Sequence, residues 1–195
     1  ALAAVAERAT IDTVATAAFP SVTPVCAATI ATGVRQDAHR IPSMNWYSRD
    51  EERYVEYGSS FSAARAFGVR RQLVDAVYEL NGSHLAPGTP TVFETLDDLG
   101  VRTAGTTYLI YRGRYRHEMA REFPASSFVA RSLFGDRPVM GPRELFYADL
   151  FASRRTGCRS LFGNPGQRDR HSGCVGAFLV EHDLFDFLLF SLPDN

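Results

Sequence analysis

The sequence predicts an α/β fold in which a mainly parallel central sheet is flanked by helices. An amphipathic helix pattern ends at Gly100 and is followed at once by a β-branched and aromatic run, Val101–Tyr111. The order helix, glycine, strand is typical of α/β sheets. A second apolar run, Leu188–Leu192, lies near the end of the chain. The 195 residues, 45% of them hydrophobic, are enough for a sizeable core, and we assign residues 1–195 to a single domain.

The first predicted helix, Val25–Thr32, has signals at both ends. Thr23 stands where an N-cap is expected, Pro24 stands at the first helical position, and Gly33 closes the run. Threonine and proline are favoured in this order at a helix start, and glycine is favoured just past a helix end. The sequence therefore predicts that Thr23 caps this helix.

The hydroxyl of Thr23 has two interpretations. Most serine and threonine residues at helix starts only cap the helix. The same place, however, is rich in free backbone N–H groups at the positive end of the helix, and such a place suits a phosphate. A hydroxyl held there can act as a nucleophile when a metal or a base takes its proton.

The middle of the chain predicts an irregular segment and two helices. Residues 40–60 contain proline, asparagine and glycine, which favours an irregular segment outside the core. Val69–Leu80 has apolar residues at helical spacing and ends at an Asn-Gly pair. Thr91–Leu99 predicts the helix that precedes Gly100, with Glu94 on its charged outer face.

The last third of the chain predicts a helix, a loop and a strand. Pro142–Ser153 has a proline near its start and apolar residues at helical spacing. Residues 153–176 combine five arginines with five glycines and predict a long basic loop, which in a compact domain is often functional. These arginines are candidates for phosphate binding as a group, although a solvated loop is the more common outcome. They are Arg154, Arg155, Arg159, Arg168 and Arg170. Leu188–Leu192 is the final strand.

Two segments carry specific motifs. The first reads Phe19-Pro20-Ser21-Val22-Thr23, continues to Thr32-Gly33 and reaches His39, Ile41 and Tyr47. The second reads Leu188-Leu189-Phe190-Ser191-Leu192-Pro193-Asp194. The chain resembles the nucleotide pyrophosphatase/phosphodiesterase family of the alkaline phosphatase superfamily in both segments. That family has F-P-[ST]-x-T, a helix ending in T-G and then H-G-I, and it has a hydrophobic strand that leads into a metal-binding aspartate. Arg40 replaces the glycine that usually follows the histidine, and Pro24 replaces an aromatic residue that stacks on the nucleotide base in several relatives.

The resemblance implies an alkaline-phosphatase-like fold and hydrolysis of phosphodiester or pyrophosphate bonds through a phospho-threonine intermediate at Thr23. It also implies two divalent metal ions, zinc in the family, with Thr23 and Asp194 among their ligands. Asn45 is the candidate for contact with the phosphate of the substrate, although strict spacing places the family's asparagine one residue earlier, at Met44. A structural role is expected for His39.

The family's other metal ligands have no counterpart in residues 1–195. The resemblance places one aspartate before Ala1, and it places histidines and an Asp-His pair after Asn195. We therefore expect the chain to be an incomplete part of the catalytic domain and inactive by itself. The alternative to an enzyme is a non-catalytic binding protein that keeps the fold without the full two-metal site.

The chain lacks the sequence motifs of several other enzyme classes. No C/S-x-P-x-R core of a sulfatase surrounds Thr23, and neither a G-x-S-x-G elbow nor a G-x-G-x-x-G loop occurs. Cys158, His171 and Cys174 fit no common zinc spacing, and the alternatives for them are loop residues or a redox pair.

The charge balance gives no evidence for a large anionic partner. A net charge of −1 gives no support for binding to nucleic acid or to a membrane surface. The partner that the resemblance implies is a small phosphorylated molecule, a nucleotide or another phosphodiester. No apolar run reaches the length of about 18 residues that a membrane-spanning helix needs. The first residues lack the basic start of an intact secretory signal, and the location of the protein is left open between the cytoplasm and export.

Overall fold

The fold of the chain is given by a computed structural model. It describes residues 16–58, 60–120, 137–147, 150–158 and 166–193, together with the single positions 7, 14 and 132. The helices within these residues are α1 (Thr23–Thr32), α2 (Gln36–His39), α3 (Phe61–Phe67), α4 (Val69–Val74), a π-helix that continues α4 (Asp75–His84), α5 (Val92–Asp98) and α6 (Gln167–Glu181). The strands are β1 (Asn45–Ser48), β2 (Arg53–Glu56), β3 (Thr103–Thr106), β4 (Tyr115–His117), β5 (Val139–Gly141), β6 (Glu144–Tyr147), β7 (Phe151–Ala152) and β8 (Phe187–Phe190).

The largest sheet has four strands in the order β7-β6-β3-β8. β3 is parallel to both of its neighbours, β6 and β8, whereas β7 runs antiparallel to β6. Two separate antiparallel pairs, β1 with β2 and β4 with β5, complete the described strands. The predicted α/β class is confirmed, but the strands have mixed orientation and a mainly parallel central sheet is not established by these pairings.

Helices lie on both faces of the four-stranded sheet. Phe146 of β6 packs with Val175 and Leu179 of α6. Its neighbour Leu145 packs with Val77 of the π-helix on the other face. Successive residues of a strand point to opposite faces, so one strand serves both layers of the core.

The segment predicted as a helix at Pro142–Ser153 is instead strand β6 followed by strand β7. The helical prediction was wrong because a short apolar run does not distinguish a helix from a strand that is buried on both faces. Leu145 and Phe146 are 1% and 2% exposed on opposite faces of the sheet, which is the burial of an inner strand.

The basic loop predicted at residues 153–176 is wrong in its second half, where α6 begins at Gln167. The sequence pattern did not predict this helix because two glycines lie inside it, and glycine disfavours a helix interior. Packing explains one of them. A Cβ atom on Gly176 would come within 2.8 Å of the ring of Phe190, so only glycine allows α6 to lie this close to β8.

One predicted helix keeps its place but changes its length. The helix that begins at Val69 runs as α4 and the π-helix to His84, beyond the Asn-Gly pair expected to end it. Asn81 is held by the chain after β3, because its amide donates to the Leu109 carbonyl at 3.0 Å and accepts from the Tyr111 N–H at 2.7 Å. These hydrogen bonds join residues that are distant in sequence, so the local sequence pattern could not predict that the helix continues past Asn81.

Cys158 and Cys174 form a disulfide with a Cα–Cα distance of 5.9 Å. Of the alternatives that the sequence leaves open, the structure therefore supports a cysteine pair, and neither sulfur is available as a thiolate ligand for a metal. The bond ties α6 to the segment that follows β7, across a sequence separation of 16. Cys26 of α1 has a free thiol.

Candidate active site

Thr23 is the first residue of α1. The N-cap is Val22, which has no side chain able to cap, and proline follows within the first turn. The prediction that Thr23 is the N-cap is therefore wrong by one position, a shift that is common at helix ends. The residue is exposed. Gly33 ends the helix as predicted, with φ of 70° and its N–H donating to the Thr29 carbonyl at 2.8 Å.

A cleft of about 400 Å³ lies at the start of α1. Its lining consists of Thr23, Ala27, Thr107, Tyr108, Leu109, Tyr147, Arg168, Ser191, Leu192 and Pro193. The cleft thus joins the first two turns of α1, the ends of three sheet strands and the first turn of α6.

Strand register explains why distant residues meet in this cleft. Thr106 of β3 is level with Phe146 of β6 and with Phe190 of β8. The residues that follow these positions, namely Thr107, Tyr147 and Ser191, are therefore at the same edge of the sheet, and all of them line the cleft. Binding sites of α/β sheets lie outside the carboxyl ends of parallel strands, which is the position of this cleft.

Thr107 has a backbone conformation that is unusual for its type. Its φ is 52°, in the left-handed region that β-branched residues rarely adopt. Two hydrogen bonds hold it: its N–H donates to the Phe146 carbonyl at 2.7 Å, and its Oγ1 accepts from the hydroxyl of Ser172 at 3.1 Å. Strained residues of this kind cost on the order of 1–3 kcal/mol and concentrate at functional sites. The strain also ends β3 earlier than the predicted strand Val101–Tyr111.

Two tyrosines in the cleft are neutral at physiological pH. Burial raises the pKa of Tyr108 to about 12, and its hydroxyl donates to the Ala27 carbonyl at 3.2 Å. Burial also raises the pKa of Tyr147 to about 12, although the positive charge of Arg168 opposes this shift. Within the described lining, Arg168 is then the one side chain that carries a charge at neutral pH.

The other predicted site residues are Asn45 and Asp194. Asn45 begins β1, is exposed, and pairs in register with Glu56 of β2. Asp194 lies outside the described residues, but the residue before it, Pro193, lines the cleft together with Thr23. The chain therefore brings Thr23 and Pro193 to one place, whereas Asn45 is not part of the described lining of the cleft.

His39 has the structural position that the sequence predicts. Its ring is fully buried; Nδ1 accepts from the Ile41 N–H at 3.1 Å, and Nε2 lies 3.2 Å from the hydroxyl of Thr29 in α1. Nδ1 must therefore be unprotonated, so Nε2 carries the proton of the neutral ring. These bonds fix the chain after α2 against the helix that begins at Thr23.

Arg40 has a φ of 65° at the end of α2, with its N–H donating to the Gln36 carbonyl at 2.8 Å. A left-handed residue at this position is favourable for glycine and costs other residues about 1–2 kcal/mol. The glycine that the resemblance implies at this position would fit this backbone without that cost.

Lowering the pH is expected to destabilise the fold through His39. Desolvation by burial lowers the pKa of His39 below its ordinary value of 6.5. The unfolded chain then binds the proton more readily than the folded chain, so the stabilisation is complete above pH 6.5 and is lost as the pH falls through the lowered pKa. Urea unfolding between about pH 8 and about pH 5 measures this loss.

The matched variants for this pH experiment are His39→Gln and His182→Gln. His182 is exposed near the end of α6 and serves as the control for exchanging a histidine for a glutamine. Replacement of His39 should flatten the pH dependence of the unfolding free energy, with the remaining slope in this range coming partly from His117, whose pKa burial also lowers. Equal slopes in wild type and His39→Gln would contradict the prediction.

The described residues do not by themselves form a metal site. They contain no group of three or more histidine, cysteine, aspartate or glutamate side chains placed to hold an ion. From the described lining, Thr23 offers an oxygen donor, and the carboxylate predicted to accompany it, Asp194, lies outside the residues that the structure describes. No helix in the described residues is long and apolar enough to cross a membrane.

The fold and the cleft define an α/β protein with an exposed hydroxyl at a helix start, facing the carboxyl ends of parallel strands. The model of the type I phosphodiesterase / nucleotide pyrophosphatase family matches residues 1–127, and the chain belongs to this family. No curated protein and no solved structure matches the chain. The family is one of hydrolases, and the matched range includes Thr23 and Thr107, whereas Tyr147 and Arg168 lie beyond it.

Sequence reasoning located some of the cleft and missed the rest. The Thr23 motif identified the helix start, and the arginines near Arg168 were noted only as a group. Thr107 and Tyr147 carried no recognisable signal, because each lies in an ordinary apolar or aromatic stretch. Strand register, which the sequence does not show, is what brings them to the cleft.

Proposed function

We propose that the protein hydrolyses phosphodiester or pyrophosphate bonds of small substrates with Thr23 as the nucleophile. The observation that carries this proposal is the exposed hydroxyl of Thr23 at the start of α1, in a cleft formed at the carboxyl ends of β3, β6 and β8. Membership of a hydrolase family that acts on such bonds supports the same chemistry.

In the proposed reaction the Thr23 oxygen attacks the phosphorus in line with the leaving oxygen. The new O–P bond forms as the bond to the leaving group breaks, and the leaving oxygen departs with the electron pair and takes up a proton. Water then cleaves the phospho-threonine, releasing the phosphoryl product and restoring the hydroxyl. The hydroxyl proton must be removed for the first step, since a neutral threonine is a weak nucleophile.

The start of α1 supports a phosphoryl group at this position. The first backbone N–H groups of a helix have no partner within the helix, and they lie at its positive end. Both features favour the negative charge that the transferred group carries. Pro24 lacks one of these N–H groups, so the donors available to the phosphoryl group come from the other residues of the first turn.

Two divalent metal ions, zinc by family resemblance, complete the proposal, with Thr23 and Asp194 among their ligands. When bound, such ions favour the ionised hydroxyl and offset negative charge on the phosphoryl oxygens. The described residues hold no group of three or more histidine, cysteine, aspartate or glutamate side chains placed to bind an ion. Asn45 is proposed to contact a non-bridging oxygen of the substrate.

Trapping the covalent intermediate tests the proposed role of Thr23. The protein, with any residues encoded on either side of 1–195, is acid-quenched during turnover of bis(p-nitrophenyl) phosphate, and its peptides are analysed by mass spectrometry. We expect a phosphoryl ester on Thr23 and none on Ser21, an exposed hydroxyl two residues earlier. Steady turnover without a modified Thr23 peptide would contradict the proposal.

The same experiment separates the catalytic proposal from a non-catalytic one. A protein that binds the diester, is supplied with zinc, and neither turns it over nor becomes modified would be a binding protein that keeps the fold. That outcome would also remove the reason for placing metal ions beside Thr23.

A further inference from the structure

The side chains that line the cleft at the start of α1 differ in whether their hydroxyls are already bonded. The Thr107 hydroxyl accepts from Ser172 at 3.1 Å, and the Tyr108 hydroxyl donates to the Ala27 carbonyl at 3.2 Å. Tyr147 lines the same cleft, and its hydroxyl makes no hydrogen bond to any residue that the structure describes. Of the two phenols in the described lining, the fold therefore uses the hydroxyl of one, and the described residues leave the hydroxyl of the other available to a ligand.

Contacts with the core hold the Tyr147 ring in place. Its backbone at the end of β6 pairs in register with Phe151 of β7, and its carbonyl accepts from the Leu150 N–H at 3.1 Å. Its ring packs against the buried ring of Tyr111, with 5.1 Å between the ring centroids. Tyrosine has only two side-chain torsions, so a ring fixed in this way loses little conformational freedom when its hydroxyl binds a ligand.

The Tyr147 hydroxyl keeps its proton at physiological pH. Burial raises its pKa to about 12, against the opposing effect of the positive charge of Arg168. A neutral phenol is a hydrogen-bond donor, and a hydrogen bond to an anionic oxygen is roughly twice as strong as one between neutral groups. The described lining contains no aspartate or glutamate side chain, so an anionic oxygen meets no described negative charge of the lining here.

The cleft that Tyr147 shares with the start of α1 indicates which anion its hydroxyl meets. The first turn of a helix favours a phosphoryl group, and Thr23 and Tyr147 line one cleft. We propose that the Tyr147 hydroxyl donates a hydrogen bond to a non-bridging oxygen of the phosphate group bound in this cleft, which makes Tyr147 a substrate-binding residue. The inference rests on the proposed function in that it concerns the same cleft and the same phosphate chemistry, but it makes no use of the Thr23 hydroxyl. Tyr147 lies beyond residues 1–127, so the family match assigns it no role.

Binding of inorganic phosphate tests the proposal without any turnover. The protein, with any residues encoded on either side of 1–195, is titrated with phosphate in a calorimeter at low ionic strength. We expect Tyr147→Phe, which removes only the hydroxyl, to raise the Kd for phosphate about 10- to 100-fold, the range for loss of a hydrogen bond to a charged group. Tyr115→Phe is the matched control, since Tyr115 is an exposed tyrosine outside the described lining, and it should leave the Kd unchanged. Methyl phosphate, an ester with the same non-bridging oxygens, should show the same loss in Tyr147→Phe; a loss confined to inorganic phosphate would contradict a role toward substrate.

Tyr108→Phe separates a bond to phosphate from a general change in the cleft. It removes a hydroxyl that the fold already uses, so it should lower the melting temperature and change the Kd for phosphate by less than about threefold. Tyr147→Phe breaks no described hydrogen bond and should melt close to wild type. Equal weakening of phosphate binding by the two variants, or a lower melting temperature with a wild-type Kd in Tyr147→Phe, would overturn the assignment.

The outcomes also distinguish this proposal from the catalytic one. Thr23→Ala should bind inorganic phosphate as wild type does, and adding Tyr147→Phe to it should weaken binding as much as in wild type. No binding by wild type at millimolar concentration would overturn the role of Tyr147. A phosphorylated Thr23 peptide during turnover, together with an unchanged Kd in Tyr147→Phe, would also overturn it and leave the nucleophile in place. Binding that depends on Tyr147 in a protein without hydrolytic activity would uphold the role of Tyr147 and remove that of Thr23.

Discussion

Thr23→Ala is expected to lower kcat for phosphodiester hydrolysis on the order of 1,000-fold or more, since removing a nucleophile removes the covalent route entirely. The exposed hydroxyl at the start of α1 makes no described contact on which the fold depends. The melting temperature should therefore stay close to that of wild type. Initial rates with bis(p-nitrophenyl) phosphate, together with thermal unfolding of the same samples, measure both quantities.

Two companion variants make the Thr23 experiment specific. Thr23→Ser keeps a hydroxyl at the same position and should therefore retain much of the activity that Thr23→Ala loses. Ser21→Ala removes an exposed hydroxyl outside the described cleft lining and should leave kcat unchanged. Wild-type turnover in Thr23→Ala would exclude the nucleophilic role, and a loss of activity in Ser21→Ala of similar size would show that the effect is not specific to Thr23.

Asp75→Ala is expected to lower the free energy of unfolding by about 3–5 kcal/mol, the usual cost of removing one partner of a buried ion pair. The Asp75 carboxylate is fully buried in the π-helix and accepts two hydrogen bonds, both of 2.9 Å, from the guanidinium of Arg53 in β2. It also accepts from the Glu56 N–H at 3.3 Å. Its loss leaves the mostly buried Arg53 without these partners and frees the hairpin β1–β2 from the helix.

Chemical denaturation measures this loss, and two further variants define its cause. Asp50→Ala removes an exposed carboxylate in the turn of the same hairpin and should change stability by less than about 0.5 kcal/mol. Arg53→Met in the Asp75→Ala background removes the cation that has lost its buried partner and keeps only Glu51 as a described ion-pair partner. It should recover part of the loss, which a double-mutant cycle quantifies. Additive effects of the two replacements would show that the pair is not coupled and that the contacts to Arg53 are not what stabilises the hairpin.

The helices that the sequence predicted well are those with local signals at their ends. Gly33 ends α1 and Gly100 follows α5, both with positive φ. Thr91 begins α5 with a capping box, its hydroxyl accepting from the Glu94 N–H at 3.1 Å. Even there the tertiary structure changed a role: Glu94, expected on the outer face, is buried and pairs with Arg112 at 3.1 Å.

The elements that the sequence misassigned are those whose conformation depends on distant partners. β6 forms where a helix was expected, because it lies beside β3 and is buried between two layers. α6 forms through two glycines because the sheet and the disulfide hold it. In both segments the local preference was weak, and long-range packing decided between alternatives of similar free energy.

The sequence by itself determined the α/β class, the helix that begins at Thr23, and the family, because caps, glycines and a contiguous motif are local and are read directly from the order of residues. Only the tertiary structure decided that Thr107, Tyr147, Arg168 and Pro193 share a cleft with Thr23. These residues are separated by long stretches of chain. Parallel register and the anchoring of α6 bring them together, and both depend on contacts that no segment makes alone.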